Sequence, residues 1–331
     1  MASGNGVKVV LTAVIGNLFI TVIKFIGWFF SSSPSLLAEA IHSLADTFNQ
    51  ILLFIGMKQS NKKYSRDLPT GSGGARYLWN LISAVGIFFI GFGVTFYHGI
   101  HSLLQGHFEV GPISYVGIIV LTVSFIIEFY VLIGAYKEVK LQKGNRDYLT
   151  FIKESDDPTI VAVLLEDGVA VLGVVLALIG IIMGQVFQNS LFDIIVSLII
   201  SFLLALLAVL LGVMNSKLLI GKSLSVHKEE QINKFILNQP EIDKVLKLST
   251  RVLGAGQVRL SLEVEIHGES IIDYKMLDLE SQDIKNGANP AKVLVKSSER
   301  MVRITGNVVN ELQKRIHSEF PELSIIDFEI T

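Results

Sequence analysis

Residues 35–50 read Ser-Leu-Leu-Ala-Glu-Ala-Ile-His-Ser-Leu-Ala-Asp-Thr-Phe-Asn-Gln, an apolar stretch that carries four polar side chains at regular intervals. Steps of three, four and three residues separate these side chains, which are Glu39, His42, Asp46 and Asn49. Because an α-helix completes one turn in about 3.6 residues, this spacing places all four on one face. The stretch therefore predicts an apolar helix with a single polar face.

His42 and Asp46 are the pair in this stretch that can carry metal chemistry. An imidazole and a carboxylate one helical turn apart can converge on a single divalent ion. The same two side chains could instead form a hydrogen bond that only holds a helix bundle together. The stretch alone leaves both interpretations open.

The charged residues of the chain are unevenly distributed. Of its 331 residues 50% are hydrophobic and 18% are charged, and the mean hydropathy of +0.54 is too high for one soluble globule. This composition excludes a disordered or nucleic-acid-binding chain. Residues 1–216 hold 25 charged side chains and residues 217–331 hold 33. We therefore predict a membrane domain over residues 1–216 and a water-soluble domain over residues 217–331.

The membrane domain contains six apolar stretches of the length that crosses a bilayer. They are about Val7–Phe30, Ser35–Gly56, Tyr77–Tyr97, Pro112–Tyr136, Pro158–Gly184 and Leu191–Asn215. The connections after spans one, three and five contain no Lys or Arg. The other two connections carry the basic residues, which are Lys58, Lys62, Lys63, Arg66, Arg76, Lys137, Lys140, Lys143, Arg146 and Lys153. The positive-inside rule then places both termini and the soluble domain in the cytoplasm.

Span five adds two adjacent carboxylates, Glu166 and Asp167, inside another apolar helix. Adjacent residues point about 100° apart, so only one of them can face the polar side of span two. If Asp167 does so, Glu166 could bind from the side, face a lateral cavity or stay protonated. The chain has no cysteine, so His, Asp, Glu or water must hold any metal. This donor set suits zinc, manganese, iron or cobalt.

Four further charged residues lie within the predicted spans. Glu128 in span four could act as a proton carrier or metal ligand, or form a structural hydrogen bond. Glu39 could line a vestibule or extend to the membrane interface. Lys24 could pair with a carboxylate or extend to the interface. Asp193, at the start of span six, is expected to cap that helix.

Several of these motifs together resemble the cation diffusion facilitator family over essentially the whole chain. They are Ser-Pro-Ser-Leu-Leu-Ala-Glu-Ala-Ile-His-Ser-Leu-Ala-Asp at 33–46, Asp-Gly-Val-Ala-Val-Leu-Gly at 167–173, and Asn17 with Lys24 in span one. Within the family the chain is similar to the zinc transporter 9 branch. That similarity rests on Arg-Tyr-Leu-Trp-Asn-Leu-Ile-Ser at 76–83, Glu-Ser-Asp-Asp-Pro-Thr at 154–159, Val-Leu-Leu-Glu-Asp at 163–167 and Leu-Gly-Ala-Gly-Gln-Val-Arg at 253–259.

The resemblance implies a homodimeric carrier, not an enzyme, that exchanges a divalent metal for protons across the membrane by alternating access. The ligand positions of the family fall on His42, Asp46 and Asp167, and the remaining position falls on Val163, which cannot bind a metal. Glu166, Glu128 or water would then complete the site. Zinc is the expected substrate and no permanent cofactor is expected. A manganese or iron carrier, or a non-transporting membrane scaffold, are the alternatives.

The soluble domain predicts an αββαβ order of elements, which packs helices on one face of a small sheet. The alternation of residues 259–266 indicates a half-buried strand. By resemblance this is a ferredoxin-like cytoplasmic dimerisation domain with an insertion at residues 268–296. The opening Met-Ala-Ser-Gly-Asn-Gly has neither a secretory signal nor an Arg-rich transit segment. We therefore expect a bacterial cytoplasmic membrane.

Overall fold

The structure, a computed structural model, describes residues 4–60, 66–68, 70–106, 108, 115–144, 147, 148, 151 and 158–331. It separates into two compact units, Met1–Ile220 and Gly221–Thr331. Some predicted features lie outside the described residues. They are Lys62, Lys63, Arg146, Lys153, residues 154–157 and the start of span four at Pro112.

The regular secondary structure of the first unit is entirely helical in its described part. Its helices are α1 Gly4–Ser31, α2 Pro34–Ser60, α3 Ala75–Gln105, α4 Tyr115–Lys143, α5 Pro158–Phe187 and α6 Leu191–Ile220. The middle of α3, Ile87–Val94, is π-helical. Short connections of two or three residues join α1 to α2 and α5 to α6, so each of these pairs is antiparallel.

Five helices in the described part are long and apolar enough to cross a membrane, namely α1, α3, α4, α5 and α6. Five of the six predicted spans therefore have the length and hydropathy of a membrane-crossing helix. Helix α2 has sufficient length at 27 residues. Its polar face and Lys58 lower its hydropathy, because Glu39, His42, Asp46 and Asn49 all lie within it.

Helix α2 is enclosed by other helices over its first half, whereas Phe48 and Ile51 in its second half are exposed. It packs against α1, α3, α5 and α6, and the side chains of Leu36, Ala38 and Ala40 are fully buried. A helix surrounded by protein does not need an apolar surface on every side, and intramembrane polar residues usually face such an interior. The position of α2 therefore accounts for its polar composition.

The first turn of α6 differs from the prediction. The amide of Leu191 donates a hydrogen bond to Asn189 Oδ1 at 2.9 Å, so Asn189 satisfies the free N–H group at this helix start. The buried carboxylate of Asp193 instead accepts a hydrogen bond from the hydroxyl of Ser35. The capping role predicted for Asp193 is therefore wrong, and this residue ties α6 to the start of α2.

The second unit combines three α-helices and one short 3-10 helix, Gly268–Ile271, with a three-stranded sheet in its described residues. Its elements are α7 Val226–Leu237, β1 Ile242–Gly254, β2 Gln257–Ile266, α8 Tyr274–Lys285, α9 Pro290–Glu319 and β3 Leu323–Ile330. The strand order is β1-β2-β3, with β1 and β2 antiparallel and β2 and β3 parallel. Gly256 allows the tight turn between β1 and β2 because its φ is 65°.

Strand β2 provides the centre of this unit. Its buried residues alternate with half-buried ones, which confirms the strand predicted from residues 259–266. Helix α7 packs against β1 and α9 against β3, and Ile232, Leu260 and Leu312 are fully buried. Helix α8 lies within the predicted insertion. The ferredoxin-like assignment stays a prediction.

We expect Leu260→Ala to destabilise the second unit by about 2–5 kcal/mol, because it removes a fully buried side chain from the centre of the sheet. Hydrogen exchange of the 331-residue chain, followed by mass spectrometry, should show faster exchange of the β1, β2 and β3 amides. Leu246→Ala is the control, since Leu246 lies on the same sheet but is 46% exposed. Equal exchange in the two variants would show that Leu260 does not support the core.

Candidate functional site

His42 and Asp46 lie on the polar face of α2, as predicted. The His42 side chain is 1% exposed, and its Nδ1 atom lies 3.7 Å from Asp46 Oδ1. That distance is too long for a hydrogen bond. Both ring nitrogens of His42 and the Oδ1 atom of Asp46 are buried without a hydrogen-bond partner among the described residues. Such atoms are rare in folded proteins, and a bound ligand would satisfy them.

A cavity of about 280 Å³ lies between α1, α2, α4 and α5. Three carboxylates from three different helices line it, those of Asp46, Glu128 and Asp167. One buried oxygen of each has no hydrogen-bond partner among the described residues. Carboxylates gathered in a site of low dielectric constant repel one another unless protons or a cation neutralise them. The cavity therefore has the chemistry of a cation site.

The arrangement is not a closed metal cage. Among the residues that the structure describes, no three His, Asp or Glu side chains lie close enough together to hold one ion. His42 is a neighbour of Asp46 on α2 but does not itself line the cavity, whereas Asp167 lines the cavity from α5. Binding by all three would require the two helices to bring these side chains closer together.

Glu166 is directed away from this cavity. Asn49 Nδ2 donates a hydrogen bond to Glu166 Oε1 at 2.9 Å. Both residues line a second, smaller cavity of about 20 Å³ together with Val163, Asn80 and Asn215, which has room for about one water molecule. Glu166 therefore faces a lateral cavity, which is one of the alternatives that the sequence left open. Val163 lies at this second cavity as well.

Lys24 forms a buried ion-pair cluster with two carboxylates. Its Nζ atom lies 2.8 Å from Glu39 Oε2 and 2.7 Å from Glu128 Oε1. Lys24 and Glu39 are fully buried, so neither reaches for a membrane interface, and Glu39 does not line the cavity. Glu128 has two environments, because it bonds to Lys24 and also lines the cavity.

Some polar residues of the cavity were not predicted from the sequence. Ser43 and Gln50 line it, as does Asn17, which had been noted only through the family resemblance. Gln50 follows Asp46 by four residues, so the spacing that relates His42 to Asp46 also indicates Gln50.

Comparison with known proteins identifies the class of this fold and site. Residues 10–220 match the cation efflux transmembrane domain. The chain is 30% identical over 334 residues to the human "Proton-coupled zinc antiporter SLC30A9, mitochondrial", covering 98% of this chain and 58% of that protein. It is 31% identical over 337 residues to "Metal tolerance protein C4" from Arabidopsis thaliana, covering 97% of this chain and 73% of that protein.

Apolar helices around a carboxylate-lined cavity, together with these matches, define a helical membrane protein of the cation efflux class. The chain belongs to the cation efflux family, also called the cation diffusion facilitator family, which confirms the resemblance found in the sequence. The chain spans only 58% of the length of the human relative. Because that relative is named as mitochondrial, the expected bacterial membrane is not confirmed.

Titration of zinc into the purified 331-residue chain tests this site. We expect His42→Ala and Asp167→Asn each to weaken zinc binding by about tenfold or more, since losing even an outer-shell partner of a metal site costs about 10–100-fold. Isothermal titration calorimetry measures the affinity. Asp193→Asn is the control, because Asp193 is a buried carboxylate that bonds to Ser35 outside the cavity. An unchanged affinity in His42→Ala would remove that residue from the site.

Proposed function

We propose that the chain is a secondary-active carrier that exchanges a divalent metal ion for protons by alternating access. Zinc is the leading candidate for this ion. The observation that carries this proposal is the cavity itself, which Asp46, Glu128 and Asp167 line from three helices, each with an unpaired buried oxygen. The unpaired His42 ring lies next to Asp46 on α2. Zinc and proton coupling are supported by the name of the human relative. Metal transport of some kind is also consistent with the name of the plant relative.

His42, Asp46 and Asp167 are the proposed zinc ligands. Zinc in proteins usually has four ligands, and Val163 cannot provide the fourth. Glu128 is a better candidate than Glu166, because Glu128 lines the same cavity as Asp46 and Asp167. Glu166 is already hydrogen-bonded to Asn49 at the second cavity. Water is the other source of a fourth ligand.

Proton coupling follows from the chemistry of these ligands. Imidazole and carboxylate bind a metal only in their deprotonated forms, so loading of the metal releases protons. When the metal leaves, the carboxylates of Asp46 and Asp167 lose their neutralising cation, and protons then replace it. The same side chains therefore hold either the metal or protons, which makes the two fluxes opposite in direction.

The proposal includes the membrane arrangement and the assembly. Helix α2 crosses the membrane together with the five apolar helices, which gives six spans in all. The basic connections place both termini on the cytoplasmic side. The second unit is proposed to have a ferredoxin-like dimerisation fold, and the functional unit is a homodimer. A bacterial cytoplasmic membrane stays part of the proposal.

A manganese or iron carrier of the same fold is the second candidate. It is favoured by the donor set of the main cavity, which has three carboxylates and a single neighbouring imidazole. Oxygen-rich sites suit manganese better than zinc, whereas imidazole suits zinc and iron. Competition among the three metals in calorimetry of the purified protein would separate the candidates.

Uptake of zinc into proteoliposomes tests the carrier function. Asp46→Asn should reduce the initial rate by about tenfold or more, because it removes a charged ligand without changing the shape of the side chain. Asp193→Asn makes the same chemical change at a buried carboxylate outside the cavity and should retain uptake. Equal rates in wild type and Asp46→Asn would refute the site. Absence of zinc, manganese and iron uptake in the wild type would favour the scaffold alternative.

A further inference from the structure

The buried ion pairs of Lys24 join three of the helices that surround the cavity. We call Lys24 of α1, Glu39 of α2 and Glu128 of α4 the Lys24 triad. The single ammonium group bonds to both carboxylates, at 2.8 Å and 2.7 Å, and the Lys24 and Glu39 side chains are fully buried. Charge-assisted hydrogen bonds are about twice as strong as neutral ones, and a low dielectric constant strengthens them further.

The triad lies at one end of the cavity. On α1 the residues that line the cavity end at Ile20, and Lys24 follows one turn later. On α2 they begin at Ser43, and Glu39 precedes Ser43 by one turn. Because α1 and α2 are antiparallel, both displacements point toward the membrane face at which α1 ends and α2 begins. We call this the turn face, and the other side of the membrane the opposite face.

Helix α5 shows the same displacement. Its cavity-lining residues are Asp167 and Ala170, and Gly173, nearly one turn later, lies against the carboxylate of Glu39. The Oε1 atom of Glu39 occupies the place where a Cβ atom at position 173 would be. Glycine at this position therefore allows Glu39 to reach Lys24.

Beyond the triad, toward the turn face, the helices pack closely. A Cβ atom at Gly27 would lie 3.1 Å from Leu36 and 3.2 Å from Val120. A Cβ atom at Gly117 would lie 3.2 Å from Ser31. These distances are shorter than ordinary van der Waals contacts, so α1, α2 and α4 meet directly here. The cavity is therefore closed on this side.

We propose that the Lys24 triad is the gate that separates the cavity from the turn face. Lys24 acts as a tethered cation that holds α1, α2 and α4 together, and it must release a carboxylate before this side can open. A buried charge that loses its partner is strongly destabilising. Partly separated arrangements of the triad are therefore unfavourable, and the gate has a closed state and an open state. Glu128 belongs both to the gate and to the wall of the cavity. The inference rests on the proposed function, since a gate requires a transported ion.

Lys24 could alternatively adjust only the charge around the cavity. The triad carries one positive and two negative groups, so its formal charge is −1. The double variant Lys24→Gln/Glu39→Gln retains that formal charge and hydrogen-bonding capacity but removes the ion pairs. It therefore separates the gate from a simple charge effect.

The absence of cysteine from the sequence allows a direct test of accessibility. Ser43→Cys places a single thiol at the cavity, in a position that the structure shows to line it. The 331-residue chain is reconstituted into proteoliposomes in a single orientation. A membrane-impermeant cationic methanethiosulfonate reagent is then applied to one face of the membrane at a time. We expect the thiol to react from the opposite face. When the double variant is combined with Ser43→Cys, the rate of thiol labelling from the turn face should rise by about tenfold. The loss of charged hydrogen bonds is expected to raise the population of the open state by about this factor.

Two further variants complete the test. Lys24→Arg keeps the cation and should keep the turn face closed. Gly173→Ala changes none of the three charged residues but displaces the Glu39 side chain, so it should raise labelling from the turn face even if the double variant does not fold. An unchanged turn-face rate in Gly173→Ala and in the double variant would overturn the gate. Failure of zinc uptake by the wild type would refute the carrier instead, because thiol labelling does not require zinc.

Discussion

Neutralisation of buried carboxylates is the constraint on which the membrane unit depends. A charged side chain at the centre of a bilayer costs about 3 kcal/mol or more, so it must face a partner or a polar path. Lys24 provides a fixed cation for Glu39 and Glu128. Asp46 and Asp167 line a cavity, and among the described residues neither forms an ion pair with Lys or Arg; Asp46 lies 3.7 Å from the His42 ring, which is a cation only when protonated. A mobile cation or protons must therefore neutralise them, and this need connects the fold to transport.

The same constraint explains the placement of α2. A helix with Glu39, His42, Asp46 and Asn49 on one face is poorly suited to contact lipid, and the structure surrounds it with α1, α3, α5 and α6. The polar face then lies against protein, where partners and cavities are available. The polar residues that make α2 less apolar than the other five helices are thus the residues that form the site.

Local spacing predicted the parts of the structure that depend on neighbours in sequence. The three- and four-residue steps of α2 predicted its polar face, and alternation predicted strand β2. Contacts between distant residues had no such signal. Glu128 is 104 residues from Lys24, and Asn49 is 117 residues from Glu166. The cap of α6 was assigned to the wrong residue because Asp193 and Asn189 are both good capping residues, and tertiary contact with Ser35 decided between them.

The central claim is that one set of ligands holds the metal and the protons in turn. The most direct measurement is the internal pH of proteoliposomes, reported by a trapped fluorescent dye, while zinc is added outside. The account predicts that the interior becomes more alkaline as zinc enters, in proportion to the zinc taken up, because the exchanged protons leave. Zinc entry with an unchanged internal pH, measured in vesicles shown to retain a proton gradient, would contradict it.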